Sequence, residues 1–529
     1  MKSKILKKCL LMALVAGCLV SCTKDLNRVP INTTTDAVAY TNAAGYKEGL
    51  AKVYGSFATT GSSGASSGDI HGIDAGTSDF VRLYWNAQEL PTDEALCIWN
   101  DPGVPDFHNN NWTSNNVILL GLYYRSIYQI TLANTFINEA SDANLTSRGI
   151  TGSDATNVRY YRAEARFLRA YQYWVLMDMF GNPPFVTEAT PIGKTLPPQI
   201  TRVTLFNYVE SELKAVAPLL MAPKTNEYAR ADQAAAWALL SRLYLNAQVY
   251  TGTARYTDAI TYASQVIGAG YSLMPTYKNL FTSDNNLNNP EVILPIAYDL
   301  VSTQNYGGTT FIINSSVSGS EGPASFGVPG GGWAGNHTLQ VLPKVFGDYS
   351  GNTDKRAMFY TGGATTENTT DETTFTSGFA VTKFTNLTST GATLPGASTF
   401  CSTDFPLFRL GEVYLNYIEA VTRGGSGGSA ATALTYFNAL RTRAYGNATG
   451  NVASFALSDV LNERFKEMYW EATRRTDLIR FGMFTGGTYL WPFKGGVLAG
   501  TAIADFRALY PLPASDVTAN PNLIQNTGY

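Results

Sequence analysis

Histidine is almost missing: His71, His108 and His337 are the only three in 529 residues. That disfavours a histidine-built zinc centre or a His-dependent triad. Strong charge of either sign is missing too. Lys and Arg number 38 against 41 Asp and Glu, a formal net charge of −3. All four charges before Ser21 are lysines (Lys2, Lys4, Lys7, Lys8), so a chain without that segment is more acidic still. Such a balance has no global attraction to nucleic acid or to an anionic leaflet. Beyond the N-terminus no apolar run reaches the roughly 18 residues that a spanning helix needs. What is present is 45% hydrophobic and 12% aromatic residues with only 15% charged. This composition supports a packed core and excludes wholesale disorder, in a length that suits two to four domains or one large one.

The N-terminus reads as an address. Met1–Lys8 is basic and Cys9–Val20 is a short apolar run, followed by Leu19-Val20-Ser21-Cys22. A charged region, a short apolar region and a small residue mark a secretory signal over 1–21. A cysteine directly after the small residue is similar to a bacterial lipobox. A Cys22 thiol can carry a thioether-linked diacylglycerol, and several acyl chains anchor where one does not. The polar, turn-rich stretch 22–36 suits a tether. Of the other cysteines in the processed chain, Cys97 and Cys401 either pair or remain lone buried thiols; spacing leaves both open.

Helical spacing dominates 37–282. It predicts helices over Ala37–Phe57, Val117–Ala140, Val158–Phe180, Thr204–Leu220, Arg230–Val249 and Tyr256–Ile267. Trp237, Leu240, Ser241 and Tyr244 fit the opening of a tetratricopeptide hairpin, with serine in place of glycine; a generic helical hairpin is the plainer reading. Leu90–Asn116 has no helical period. The stretch 283–403 is rich in Gly, Thr, Asn and Ser, with short β-prone runs at Val292–Ala297, Thr310–Ile313 and Ala380–Phe384. In 404–529 helices return at Leu410–Val421, Ala430–Ala444 and Leu457–Phe481. The expected architecture is mainly α, a helical-hairpin scaffold interrupted by a long irregular portion with minor β pairs.

Few motifs carry chemistry. Gly330–Gly335 satisfies G-x-G-x-x-G but lacks the flanking strand and βαβ unit. Gly424–Gly428 satisfies G-x-S-x-G inside a low-complexity linker, where a strained elbow is implausible. Acids are plentiful (Asp93, Glu94, Asp404, Glu412, Glu463, Glu467), so a carboxylate pair for glycoside hydrolysis is conceivable. Glu412, Glu463 and Glu467 nevertheless fall in helical patterns beside arginines and read as ion pairs. Asp284, Asn286 and Glu291 offer hard oxygen ligands for calcium, though a polar turn explains them as well. No cofactor is expected.

Aromatics are more informative. Those in helical patterns (Tyr124, Tyr128, Tyr171, Tyr173, Trp174, Trp237) read as core. Tyr84, Trp85, Trp99, Trp112, Tyr306 and Trp333 stand in segments read as irregular, and are harder to assign to a core. A sugar ring is bound by a flat aromatic beneath its apolar face and by planar donors or carboxylates at its edge. Arg82, Asn100 and Asp101 lie near such aromatics.

Several strings resemble one family: Tyr160–Ala170 before Phe180-Gly181-Asn182-Pro183-Pro184, Arg441–Ala444, Glu463–Glu467, Trp470–Gly482, Tyr510-Pro511-Leu512-Pro513 and Asn520–Tyr529. With lipobox Cys22 they resemble, in order along the whole chain, the SusD/RagB outer-membrane nutrient-binding lipoproteins. The resemblance implies a tetratricopeptide-like scaffold, a non-catalytic cell-surface glycan binder (a peptide binder in some branches) and partnership with a SusC-type TonB-dependent transporter. A narrower resemblance, to the starch-binding branch, rests on Leu90–Ala95 leading to Ile98–Pro105, on Tyr306–Phe311 and on Gly332–Gly335. It implies an arc of Trp99, Tyr306 and Trp333 following an α-1,4-glucan, with Arg82 on sugar hydroxyls and Asn100 and Asp101 as weaker candidates. Another glycan, or a surface glycoside hydrolase, is the competing expectation.

Overall fold

The computed structural model describes residues 39–529 apart from 192 and 194. Cys22, the expected signal and the expected tether therefore lie outside the described residues.

The N-terminal part supplies α1 (Ala43–Ala58), α2 (Phe80–Glu89), β1 (Ala95–Cys97), α3 (Val117–Glu139), α4 (Gly152–Phe180), α5 (Arg202–Val216), α6 (Gln233–Leu245) and α7 (Tyr256–Ile267). The middle holds β2 (Val292–Ile296), α8 (Gly308–Ser315), β3 (Asn336–Thr338), β4 (Phe359–Tyr360) and β5 (Ala380–Val381). After β6 (Phe405–Arg409) come α9 (Leu410–Thr422), α10 (Ala430–Tyr445), α11 (Leu457–Met468) and α12 (Arg474–Arg480). The fold is mainly α, and β1–β3, β2–β6 and β4–β5 form two-stranded antiparallel pairs.

Local chemistry explains most boundaries. Asn116 caps α3, its side-chain oxygen accepting from the amides of Ile118 and Leu119. Asp232 caps α6 through Ala235, and such caps satisfy otherwise orphaned amides. Gly181, at φ 74°, stops α4 ahead of Pro183 and Pro184. Packing does the rest: α3 lies against α4, α4 against α5, α6 against α7, and α7 against α9. The Ser241 hydroxyl, facing the second helix of the α6–α7 hairpin, donates to the Ala259 carbonyl.

Three expectations fail for tertiary reasons. Thr310–Ile313 is helical, inside α8, rather than extended. The Asp79 carboxylate, 229 positions away in sequence, accepts from the Gly308 amide at 2.8 Å, and the nearby Asn305 accepts from Gly307, so a distant side chain joins a local one in capping this helix. Gly308 has φ +56° and lies against the Tyr298 ring, a conformation β-branched residues avoid. The expected helix Leu457–Phe481 is broken into α11 and α12 by Trp470 (φ 66°) and Ala472 (φ 59°). Left-handed backbone at such residues costs about 1–2 kcal/mol each. Buried carboxylates from the N-terminal part hold it: Glu94 accepts from the Trp470 amide and Glu89 from Thr473. Finally, α2 lies in a stretch read as irregular. Nine of its ten residues are buried; Arg82, Asn86 and Glu89 do share one face, but a run of about three turns is too short to stand out from the irregular sequence around it.

An ionic network runs through the interior. Arg409 pairs with Glu291, Glu467 and Glu471; Arg356 with Asp354, Glu463 and Glu467; Arg242 with Glu412; Arg474 with Asp93. The acids read from sequence as ion-pair partners are such partners. Glu291 is thereby committed to arginines. Asp284 accepts from the amide and hydroxyl of Ser389. Cys97 and Cys401 are separate buried thiols, and burial pushes Cys97 up to about 12.

Candidate functional site

Three of the six unassigned aromatics belong to the core. Tyr84 and Trp85 sit on α2, and Trp85 packs edge-on against Trp470. Trp112 is fully buried and its indole donates to the Tyr529 hydroxyl at 2.7 Å. The other three converge. The ring centroids of Trp99 and Trp333 are 6.4 Å apart with planes at 44°, and those of Trp333 and Tyr306 are 6.3 Å apart at 45°. Tyr306 is 41% exposed, and both tryptophans are half-buried.

The β1–β3 pair creates this convergence. Cys97 faces Asn336 in register, and the Ile98 amide extends the pairing to the Gly335 carbonyl at 2.9 Å. Trp99 thus leaves one strand where Trp333 enters the other, and the Trp99 indole donates to the Trp333 carbonyl at 3.3 Å. A Cβ on Gly335 would come within 2.5 Å of the Trp99 ring. The glycine run that mimics a dinucleotide motif is a close-approach loop. Helix α8 supports the other side. Tyr306 stands just before its start, and the amides of Trp333, Ala334 and Gly335 donate to the carbonyls of Asn314, Val317 and Ser315 at its end.

Arg82, on α2, completes the edge. Its Nη1 donates to the Tyr306 carbonyl at 3.1 Å, and its guanidinium carbon lies 4.7 Å from the Phe311 ring centroid and 5.7 Å from that of Trp99. Its Nε is buried without a protein partner, an expensive state for a charged donor. Burial pulls the guanidinium below its ordinary value, and the charges of Asp74, Asp101 and Asp79 oppose that pull. Asn100 and Asp101 are exposed beside Trp99. Two aromatics escaped the sequence reading. Phe311 is the buried floor beneath Trp99, at 6.0 Å, and Phe400 is half-buried with its centroid 5.3 Å from Tyr306. Phe311 ends the Tyr306–Phe311 string that carries the narrower resemblance but reads there as part of an apolar run, and Phe400 stands in no patterned context that would signal it.

The result is an open, curved aromatic surface edged by a partly unsatisfied guanidinium. It can stack apolar faces and donate to hydroxyls along an extended molecule.

A starch-binding protein, SusD, of Bacteroides thetaiotaomicron is 35% identical over the full length of both chains. This chain belongs to the SusD family. The SusD family model matches residues 323–529, and a model described as starch-binding associating with outer membrane matches 87–245. SusD-like protein P2 of Formosa agariphila is 25% identical over 75% of this chain and 79% of its own. A solved SusD superfamily protein of B. thetaiotaomicron shares the fold with a TM-score of 0.71 at 19% identity, covering 92% of this chain and 99% of that one. Surface glycan-binding protein A of the same organism, solved with laminarihexaose, does so with a TM-score of 0.66 at 19% identity, over 91% and 98%. The family is one of outer-membrane-associated glycan-binding proteins and not of enzymes. Among the described residues no helix is long and apolar enough to cross a membrane.

Proposed function

We propose that the protein captures starch-like α-1,4-glucan on the arc of Trp99, Trp333 and Tyr306, with Arg82 donating to sugar hydroxyls and Asn100 and Asp101 at the rim. The carrying observation is the arc itself: successive rings are turned by 44° and 45° at steps of 6.4 and 6.3 Å. Coplanar platforms suit a flat ribbon polymer; turned platforms suit a chain that curves. The 35% identical relative is named for starch binding, which favours the same ligand. In this reading 283–403 is the ligand-binding insertion and supplies Tyr306 and Trp333, while the N-terminal helical part supplies Arg82 and Trp99. Cys22 carries the lipid that holds the protein at the cell surface, and captured oligosaccharides pass to a SusC-type TonB-dependent transporter.

Native gels cast with starch, pullulan, dextran, levan, xylan or laminarin test the ligand. Retardation by starch and pullulan alone is the expected result. Retardation only by another polymer removes the α-glucan assignment and leaves the family role intact.

A further inference from the structure

The aromatic surface does not stop at Tyr306. Phe400 continues it, with a centroid step of 5.3 Å and a plane angle of 53°, close to the two steps before it. The ring is only half-buried, whereas its neighbour Cys401 is buried.

The backbone around Phe400 is fixed by the element that also fixes the rest of the arc. The Asn314 amide group, on α8, donates to the Thr399 carbonyl at 2.9 Å. The Thr310 hydroxyl, also on α8, accepts from the Cys401 amide at 3.0 Å. The Gly330 amide, next to the Trp333 loop, donates to the Ser398 carbonyl at 3.2 Å. Upstream, Leu387 pairs with Thr393 in a small hairpin, clamped at Ser389 by Asp284. One helix therefore sets Tyr306, Trp333 and Phe400 in a common frame, and little ordering remains to be done when a ligand arrives.

We propose that Phe400 is a fourth sugar platform, at the end of the surface away from Trp99, and that it makes the site read chain length. The proposal rests on the arc being the glucan site. A short oligomer covers the rings from Trp99 to Tyr306. A longer one also reaches Phe400, and only that one gains from it. Phenylalanine offers a flat apolar face and no hydrogen-bonding edge, so it adds affinity with length without adding a requirement on hydroxyl configuration.

Calorimetric titration of the full chain with maltotriose and maltoheptaose tests this. Phe400→Ala and Phe400→Leu are expected to bind maltoheptaose about tenfold more weakly and to bind maltotriose as wild type does. Phe400→Tyr, which keeps the ring, is expected to match wild type with both. Equal weakening with both sugars would make Phe400 a mere support for Tyr306 and overturn the proposal, as would no change with either. Circular dichroism of each variant separates loss of the platform from loss of fold. Wild-type protein that fails to bind maltoheptaose overturns the α-glucan reading itself, and that result precedes any comparison of variants.

Discussion

In the proposed site, individual side chains have separable roles. Trp99 is half-buried, touches Trp333 and spans the guanidinium of Arg82. Trp99→Ala is expected to lower glucan affinity about tenfold or more, with the fold kept. Unchanged affinity in a folded variant, measured by titration, would remove Trp99 from the site. In the proposed site Arg82 acts through shape as well as charge. Its Nη1 holds the Tyr306 carbonyl while its Nε points at no protein acceptor. Lysine keeps the charge but not the planar fork. Arg82→Lys is therefore expected to lose nearly as much affinity as Arg82→Ala, and a lysine variant with full affinity would refute the role of the fork. Trp99, Tyr306, Trp333 and Arg82 were legible in sequence as candidates that the fold brings together, through aromatics in Gly/Asn-rich stretches and through family resemblance. Phe400 was not, because nothing in a polar loop distinguishes a phenylalanine that reaches the surface of an arc from one that folds under it.

At the scale of elements, the arc depends on the β1–β3 pair and on α8. Gly335→Ala places a methyl 2.5 Å from the Trp99 ring, so it should displace Trp99 and weaken binding while the thermal midpoint changes little; retained affinity in a titration would show that the loop can yield. The same strand carries a pH dependence. Burial holds the His337 imidazole down at about 4, from an ordinary 6.5, with His108 adding repulsion and Asp371 opposing it. The unfolded chain takes up the proton first, so the stability from neutral His337 is complete above about pH 6.5 and is lost as pH falls toward 4. Thermal melts between about pH 4 and 7 should show a decline that is shallower in His337→Gln; equal slopes would exclude His337 as the source. Element boundaries were legible where local chemistry decided them, as at Tyr256–Ile267. They were not where a partner far along the chain decided them, as at the Asp79-capped α8 and the carboxylate-held break after Met468.

Across the whole molecule, buried charge ties α11 to three other stretches of sequence. Glu467 is fully buried and meets Arg356, Arg409 and Arg443, which come from the middle portion, β6 and α10. Those guanidinium groups hold its carboxyl well below the usual range despite the opposing cost of burial. Glu467→Ala leaves this cluster one carboxylate short, with Arg443 held by Glu291 alone, and is expected to cost about 3 kcal/mol in chemical denaturation; a loss below about 1 kcal/mol would mean that water or neighbouring acids replace it. The sequence by itself determined the helical class, most long helices, the family and the aromatic residues of the arc. These follow from periodicity, from caps within a few residues, and from strings long enough to be distinctive. Only the tertiary structure decided that Tyr84, Trp85 and Trp112 are core, that Thr310–Ile313 is helix, and that Phe400 joins the arc. Each of those outcomes turns on burial against residues tens to hundreds of positions away, and such contacts leave no local periodicity to read.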